Sequence, residues 1–216
     1  MKKYNYSTNN FPFKDLIKKH LDVSSLNFIH KEKDFNYKNK FERHSDQSTH
    51  YHKQFYTLAR TPDFLNMYNS FIREIIKPIY GEEVVYQKIP TFRLHFPGNI
   101  AVGEYHRDRN YRDPEWAKRV KESNFFLPLT DAYDSNTIWV ESEEGKEDFS
   151  PMNAEYGQVV KWDGSNLLHG NKLNKETTTR VSFDFRVMPL SRYEPSTNGS
   201  INTGTVFSLG GYYNKI

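Results

Sequence analysis

The spacing of apolar positions along this chain changes near residue 84. Between Thr61 and Gly81, Phe64, Tyr68, Phe71, Ile72, Ile75 and Ile79 recur mainly at three- and four-residue steps, which places them on one face of a helix. Thr61 can cap that helix, Pro62 suits its first position, and Asp63 sits in its positive first turn. Pro78 and Gly81 mark its end. A shorter helix is predicted from Lys14 to Leu21. The rest of the first sixty residues is polar, spotted with aromatics, and carries no clear period.

From Val84 onward the texture is β, with short runs of aromatic and β-branched residues between turn clusters. Strands are predicted over Val84–Phe96, Ile100–His106, Asn124–Leu129, Thr137–Glu141, Gln158–Trp162, Leu167–His169 and Arg180–Met188. Pro97-Gly98-Asn99, Asp134-Ser135-Asn136 and Asp163-Gly164-Ser165-Asn166 supply turns between them. Arg107 to Glu122 reads as a charged loop with a short helix from Pro114. Many short strands with tight turns argue for a mainly β sandwich or barrel, with the N-terminal helices packed outside it. The expected organisation is one domain over 1–216. Residues 1–82 form a helical or irregular buttress, 83–190 the β core, and 191–216 a flap or extension.

Composition narrows the chemistry. A chain of 216 residues can bury a sizeable core, and 16 Phe and 15 Tyr supply bulky rings to fill it. The net charge is only +3. The Lys-rich stretch from Lys31 to Arg43 is interleaved with Glu32, Asp34 and Glu42, a solvated surface rather than a nucleic-acid face. With no cysteine, thiolate catalysis, iron–sulfur clusters, Cys-ligated zinc and disulfides are excluded. Met1-Lys2-Lys3 has no apolar stretch behind it, and no apolar run approaches the ~20 residues of a membrane span. The expectation is a cytoplasmic protein acting on a small molecule, without nucleic-acid or membrane partners.

The chemistry concentrates in His106-Arg107-Asp108, His169 and Arg180-Val181-Ser182. Two imidazoles and one carboxylate form the ligand set of non-haem Fe(II) oxygenases, which leaves the other coordination positions open. His106 and Asp108 are two apart, so on a strand or its frayed end both point to one side. His169 lies on another predicted strand, which a sandwich or barrel can bring opposite. Arg180, eleven residues after His169, offers a fork for the far carboxylate of a dicarboxylic co-substrate. The competing reading makes these histidines core hydrogen-bonders. The other histidines serve as controls. His20, His30 and His44 lie in polar surroundings. His50 and His52 share an i,i+2 spacing but have no carboxylate at ligand spacing and lie outside the β region, and His95 is taken as packed.

The segment Arg180 to Met188 alternates, with Val181, Phe183, Phe185 and Val187 apolar and Arg180, Ser182, Asp184 and Arg186 polar. One reading is a half-exposed strand with its apolar face on the core. In the favoured reading the apolar face packs against outer helices, and the start of the polar face lines a cavity, where Arg180 and Ser182 meet a carboxylate.

The segment from Arg93 to Pro189 resembles the Fe(II)/2-oxoglutarate-dependent dioxygenases of the phytanoyl-CoA-hydroxylase-like group, and within it the streptomycin-biosynthesis-type oxygenases. The matching stretches include Val102-Gly103-Glu104-Tyr105-His106-Arg107-Asp108, Asn124 to Asp131, Asn136-Thr137-Ile138-Trp139-Val140, Gly157 to Gly164, Leu168-His169-Gly170-Asn171 and Thr179 to Arg186. The resemblance implies a double-stranded β-helix (a jelly-roll or cupin-like core), with Fe(II), 2-oxoglutarate and O2 as cofactor and co-substrates. It implies His106, Asp108 and His169 as iron ligands. It places Arg180 and Ser182 on the distal carboxylate of 2-oxoglutarate, with Thr137, Arg93 and Asn124 as further contacts. For Arg93 a structural ion pair competes with that role, and for Asn124 a strand-edge hydrogen bond does. The chain departs from many relatives at Glu141-Ser142-Glu143-Glu144-Gly145, where they carry a Pro-Gly-Ser-His turn. Related halogenases replace the carboxylate ligand with a small residue, so the intact Asp108 points away from halogenation.

The expected activity is hydroxylation of a small polar metabolite, such as a sugar, amino sugar, amino acid or natural-product intermediate. Tyr105, Arg107, Arg109, Trp139, Glu141 and Asn171 are the candidate substrate residues. A solvated charged loop is the competing reading for the arginines. A cupin-like binding module or metal-dependent isomerase, neither of which needs Arg180 at its position, is one alternative, and a non-catalytic carbohydrate-binding sandwich in which His106 and Asp108 are incidental is another.

Overall fold

The computed structural model describes residues 1–32, 48–101, 104–196, 198–200 and 204–216. Its strands are β1 (Lys2–Asn5), β2 (Val84–Gln87), β3 (Thr91–His95), β4 (Ser123–Pro128), β5 (Ile138–Val140), β6 (Ser150–Pro151), β7 (Gln158–Trp162), β8 (His169–Asn171), β9 (Arg180–Pro189) and β10 (Tyr213–Lys215). Its α-helices are α1 (Phe13–His20), α2 (His50–Leu58), α3 (Pro62–Phe71) and α4 (Pro114–Val120). The protein is mainly β, and its strand ladders are antiparallel. Seven strands make one sheet in the order β1-β7-β4-β9-β2-β10, with β3 also paired to β9. The order β6-β5-β8 makes a second, three-stranded sheet.

Strand β9 organises both layers. Its period-two alternation sends Val181, Phe183, Phe185 and Val187 into the main core, where all four are fully buried. That face packs on the helices. The Phe183 ring lies 5.3 Å from Phe13 of α1 and 6.3 Å from Phe64 of α3, and Phe185 lies 5.5 Å from Tyr68 of α3. These contacts are edge-on, a favoured arrangement for aromatic quadrupoles. The opposite face of the large sheet meets the small one. Phe126, Val160 and Trp162 pack with Val140, Met152, Ala132 and Ala154 in a second apolar cluster. Arg180, Ser182, Asp184 and Arg186 alternate with the helix-facing residues and therefore belong to this inner side, as the favoured reading of the strand required.

The helix predicted from Thr61 begins as expected, with the Thr61 hydroxyl accepting from the Phe64 N–H. After Phe71 it widens into a π turn over Ile72–Ile76 and tightens into a 3-10 turn over Lys77–Ile79. Pro78 lacks the N–H that would continue an α-helical ladder, and Gly81 closes the segment at φ +71°. The helix predicted from Lys14 is α1, shifted by one residue. The one predicted from Pro114 is α4, capped by the Asp113 carboxylate on the Trp116 N–H.

Several expectations need correction. The strand predicted over Val84–Phe96 is two strands, β2 and β3, because Pro90 has no donor for a ladder and the chain turns at Lys88-Ile89-Pro90. The strand predicted over Ile100–His106 is not formed by the described residues there, which contribute a lone bridge from His106 to His169. Residues 102–103 lie outside the described set. The first third is not helical and irregular throughout, since β1 joins the sheet on β7. At the other end, β10 pairs with β2. Most of the Lys31–Arg43 stretch, and His44, lie outside the described residues. No helix of the described residues is long and apolar enough to cross a membrane.

Phe183 sits where three helices and two strands meet, so Phe183→Ala is expected to lower folding stability by ~3–5 kcal/mol. Phe28→Ala, at a half-exposed ring, should cost no more than ~0.5 kcal/mol. Chemical denaturation of both variants checks the contrast.

Candidate metal centre

His106, Asp108 and His169 converge. One ligand atom from each lies within 4.8 Å of the others. The backbone makes the approach: the His106 N–H donates to the His169 carbonyl at 2.9 Å, and the His169 N–H returns the bond at 3.0 Å. This bridge sets the two ring centroids 4.4 Å apart. Asp108 opens a 3-10 turn, and its N–H donates to the Gly164 carbonyl at 2.9 Å. The predicted Asp163–Asn166 turn therefore fixes the carboxylate. Asp108 Oδ1 stands 3.5 Å from His106 Nε2 and 3.7 Å from His169 Nε2, longer than ordinary hydrogen bonds. The three atoms face a common point more than they bond each other.

Both imidazoles are oriented the same way. His106 Nδ1 donates to the Glu104 carbonyl and His169 Nδ1 to the Leu167 carbonyl, each at 2.9 Å. A carbonyl only accepts, so Nδ1 carries the proton and Nε2 keeps its lone pair for the centre. Burial pushes His169 down to about 4, so it is neutral at pH 7. Burial alone would raise Asp108, but Arg186 and the two histidines outweigh it and hold the carboxyl well below the usual range. Two imidazole nitrogens and one ionised oxygen on one side suit a divalent ion with open positions.

The second oxygen of Asp108 is held by two donors, Asn124 Nδ2 at 2.8 Å and Arg186 Nη2 at 3.0 Å. Asn124, expected against the co-substrate, thus sits on the carboxylate ligand. Gly164 makes room for it, since a Cβ there would lie 2.5 Å from Asn124 Nδ2. Arg186 was legible only as a polar position of an alternating strand. Its Nη1 bonds Asp184 Oδ2 at 2.6 Å, and Arg93 Nε bonds Asp184 Oδ1 at 3.1 Å. Arg93 therefore has the ion pair that sequence reasoning kept as its competitor.

Arg180 lies deeper, with 1% of its surface exposed. Its Nε donates to the Asn136 carbonyl at 3.0 Å and its Nη1 to Ser182 Oγ at 2.8 Å. No carboxylate of the described residues lies within ion-pair distance of it, and Asp184 is already shared by Arg93 and Arg186. Burial, with Arg93 nearby, pushes Arg180 down to about 9, so it stays charged at neutral pH. A buried cation without an anion is costly. Asn136, which sequence reasoning treated only as a turn residue, brings a buried Nδ2 with no partner beside it. Thr137 is buried too, but its hydroxyl donates to the Met152 carbonyl at 2.6 Å.

The substrate candidates divide. Glu141 is fully buried and accepts from Arg107 Nη2 at 2.8 Å, Leu168 N at 2.6 Å and Gly145 N at 2.9 Å. Arg107 also donates to the Asn166 carbonyl, and Arg109 bonds Asn166 and Glu144. These three side chains hold loops together. Asn171 donates to the Thr137 carbonyl. Tyr105 packs its ring on Phe149 and against Gly170, where a Cβ would meet it at 2.8 Å. Trp139 carries the Lys172 ammonium 3.1 Å from its ring centroid. His95 is fully buried between the Asn136 and Asn99 carbonyls, and His52 packs edge-on to Phe92. An open groove of about 560 Å³ edged by Lys2, Lys118, Lys121 and Lys161 is lined by none of the three converging residues.

No protein-family model matches the chain. It is similar to the streptomycin biosynthesis protein StrG of Streptomyces griseus, with 42% identity over 178 residues, 81% of this chain and 80% of that one. Among solved structures it resembles SnoK, a non-heme alpha ketoglutarate dependent carbocyclase from nogalamycin biosynthesis. The TM-score is 0.55 at 12% identity, covering 97% of this chain and 88% of that one, which establishes a common fold. The apo form of the non-heme monooxygenase ThoJ gives a TM-score of 0.49 at 11% identity, over 91% of this chain and 75% of that one.

Gly164→Ala should push the Asn124 amide off Asp108 and weaken divalent-metal binding by about 10–100-fold. Calorimetric titration with Co(II) measures this, and an unchanged affinity would mean that Asn124 does not steady the carboxylate.

Proposed function

The chain belongs to the family of the streptomycin biosynthesis protein StrG, and from that premise we propose that it is a non-haem Fe(II)- and 2-oxoglutarate-dependent oxygenase. In this reading the two sheets are the halves of a double-stranded β-helix, and residues 1–216 form one oxygenase domain. The reaction is hydroxylation of a small polar biosynthetic metabolite. His106, Asp108 and His169 would hold Fe(II). Arg180 and Ser182 would receive the distal carboxylate of 2-oxoglutarate, with the Asn136 amide beside them. Iron, 2-oxoglutarate and O2 together supply the oxidising power for C–H hydroxylation and leave succinate and CO2.

The observation that carries the proposal is the buried guanidinium of Arg180, with no carboxylate partner among the described residues, on the same strand face that reaches Asp108 through Arg186. A metal-dependent isomerase or a sugar-binding sandwich has no need of a buried cation there. A dicarboxylate bridging metal and arginine does, and its two charges complete a balance with Asp108, the ion and Arg180. The protein's own work is placement and exclusion of water. The imidazoles are held by carbonyls and Asp108 by its donors, and Arg180 with Ser182 would hold the co-substrate's distal carboxylate. The intact Asp108 favours oxygenation over halogenation.

Anaerobic addition of Fe(II) and 2-oxoglutarate should give a weak visible charge-transfer band that His169→Ala lacks. Arg180→Ala should weaken 2-oxoglutarate binding by about 30-fold or more while iron remains bound. Absence of the band, together with no succinate formed in air, overturns the proposal.

A further inference from the structure

We propose that Arg186 is the positioning residue of the metal carboxylate and that Asp184 holds Arg186 to that task. The inference rests on the metal-site reading above and extends it to two residues that the ligand set does not include. A carboxylate beside a metal can turn and offer one oxygen or both. Here Oδ1 of Asp108 faces the two imidazole nitrogens, while Oδ2 is taken by Asn124 at 2.8 Å and Arg186 at 3.0 Å. Two donors on one oxygen leave a single oxygen for the ion and keep the remaining coordination positions open.

The geometry of Arg186 favours this role over simple stapling of the sheet. Its guanidinium spans two carboxylates, with Nη1 on Asp184 at 2.6 Å and Nη2 on Asp108 at 3.0 Å. Gln87 and Thr91 stand behind it at 3.4 Å. Its Nε is buried and has no hydrogen-bond partner among the described residues. A guanidinium placed to satisfy its own donors would not leave one orphaned, so the two carboxylates dictate its orientation. Asp184 is anchored from its other side by Arg93 at 3.1 Å. Charges alternate along the row from Arg93 through Asp184 and Arg186 to Asp108. Residues 184 and 186 share a strand face, and Asn124 lies opposite Arg186 in register. Arg93, Asp184, Arg186 and Asp108 each keep 10–19% side-chain exposure, so the row borders open space and is not sealed in the core.

Charge and position make opposite forecasts for Arg186→Gln. Arg186 is a cation next to the place of a divalent ion. If charge alone mattered, Arg186→Gln would bind metal more tightly and Asp184→Asn less tightly. If Arg186 positions Asp108, both variants bind less tightly. The experiment is Co(II) titration of apo protein under anaerobic conditions, read by calorimetry and by the visible Co(II) spectrum, with thermal melts of each apo variant. The expected result is a loss of about 10–100-fold for Arg186→Gln, with a spectrum altered by a change in coordination. Arg186→Lys should recover part of the loss, and Asp184→Asn should show a smaller loss in the same direction. Wild-type affinity and spectrum in Arg186→Gln, or tighter binding, overturns the proposal. So does a lowered melting temperature with unchanged metal binding. If Arg186→Gln does not fold, Arg186→Lys decides: weakened binding with an altered spectrum supports positioning, and wild-type binding overturns it. Failure of the wild-type protein to bind Co(II) overturns the metal-site reading itself, which a null result in Arg186→Gln alone does not.

Discussion

The alternation of β9 is the constraint on which the rest depends. A strand has two faces, and this one gives each face an opposite chemistry. Four large apolar side chains hold the helices to the sheet, and four polar ones line the inner side. A shift of one residue in pairing would exchange the faces, placing Arg180 and Arg186 among the rings of Phe13, Phe64 and Tyr68. The register of β9 with β3 and β4 thus secures core and site together. Stability and chemistry are consequences of the same ladder.

Around that strand the candidate centre is built largely from backbone. Carbonyls set the protonated nitrogen of each histidine, a two-residue bridge sets their separation, and the carbonyl of Gly164 sets the position of Asp108. Side chains then add what the backbone cannot: a donor pair for the carboxylate, and a buried cation with no carboxylate partner among the described residues. The two arginines of β9 are differently provided for. Arg186 is matched to two carboxylates, whereas Arg180 has only neutral partners among the described residues.

Much of this was legible in the sequence because residue type and spacing carry it. His106, Asp108, His169 and Arg180 are chemically distinctive, and the strands that carry His169 and Arg180 were located to within two residues. What depends on a distant partner was not legible. Glu141 and Arg107 looked available for a substrate, yet they bond each other, and loop N–H groups on Glu141 and the Asn166 carbonyl on Arg107 take up the rest, all partners that only the folded chain brings near. That the Asn124 amide donates to Asp108 was not legible, because Arg186 and Asn124 meet Asp108 only through sheet register. Pro90 was visible and should have divided the long predicted strand. β1 carries no apolar period, as an edge strand exposed along most of its length need not, and α2 sets Tyr51, Phe55, Tyr56 and Leu58 amid polar residues.

The bridge between His106 and His169 has a mechanical meaning apart from chemistry. It joins a loop before α4 to the short strand β8, two segments far apart in sequence. In a chain with no cysteine, an ion gripped by both imidazoles and Asp108 is a removable cross-link. It closes a long loop and lowers the conformational freedom of the open chain much as a disulfide does. Unlike a disulfide, its strength rises and falls with the free concentration of the metal. If His106, Asp108 and His169 hold a metal as proposed, the resistance of this protein to unfolding would be tied to the metal status of its surroundings.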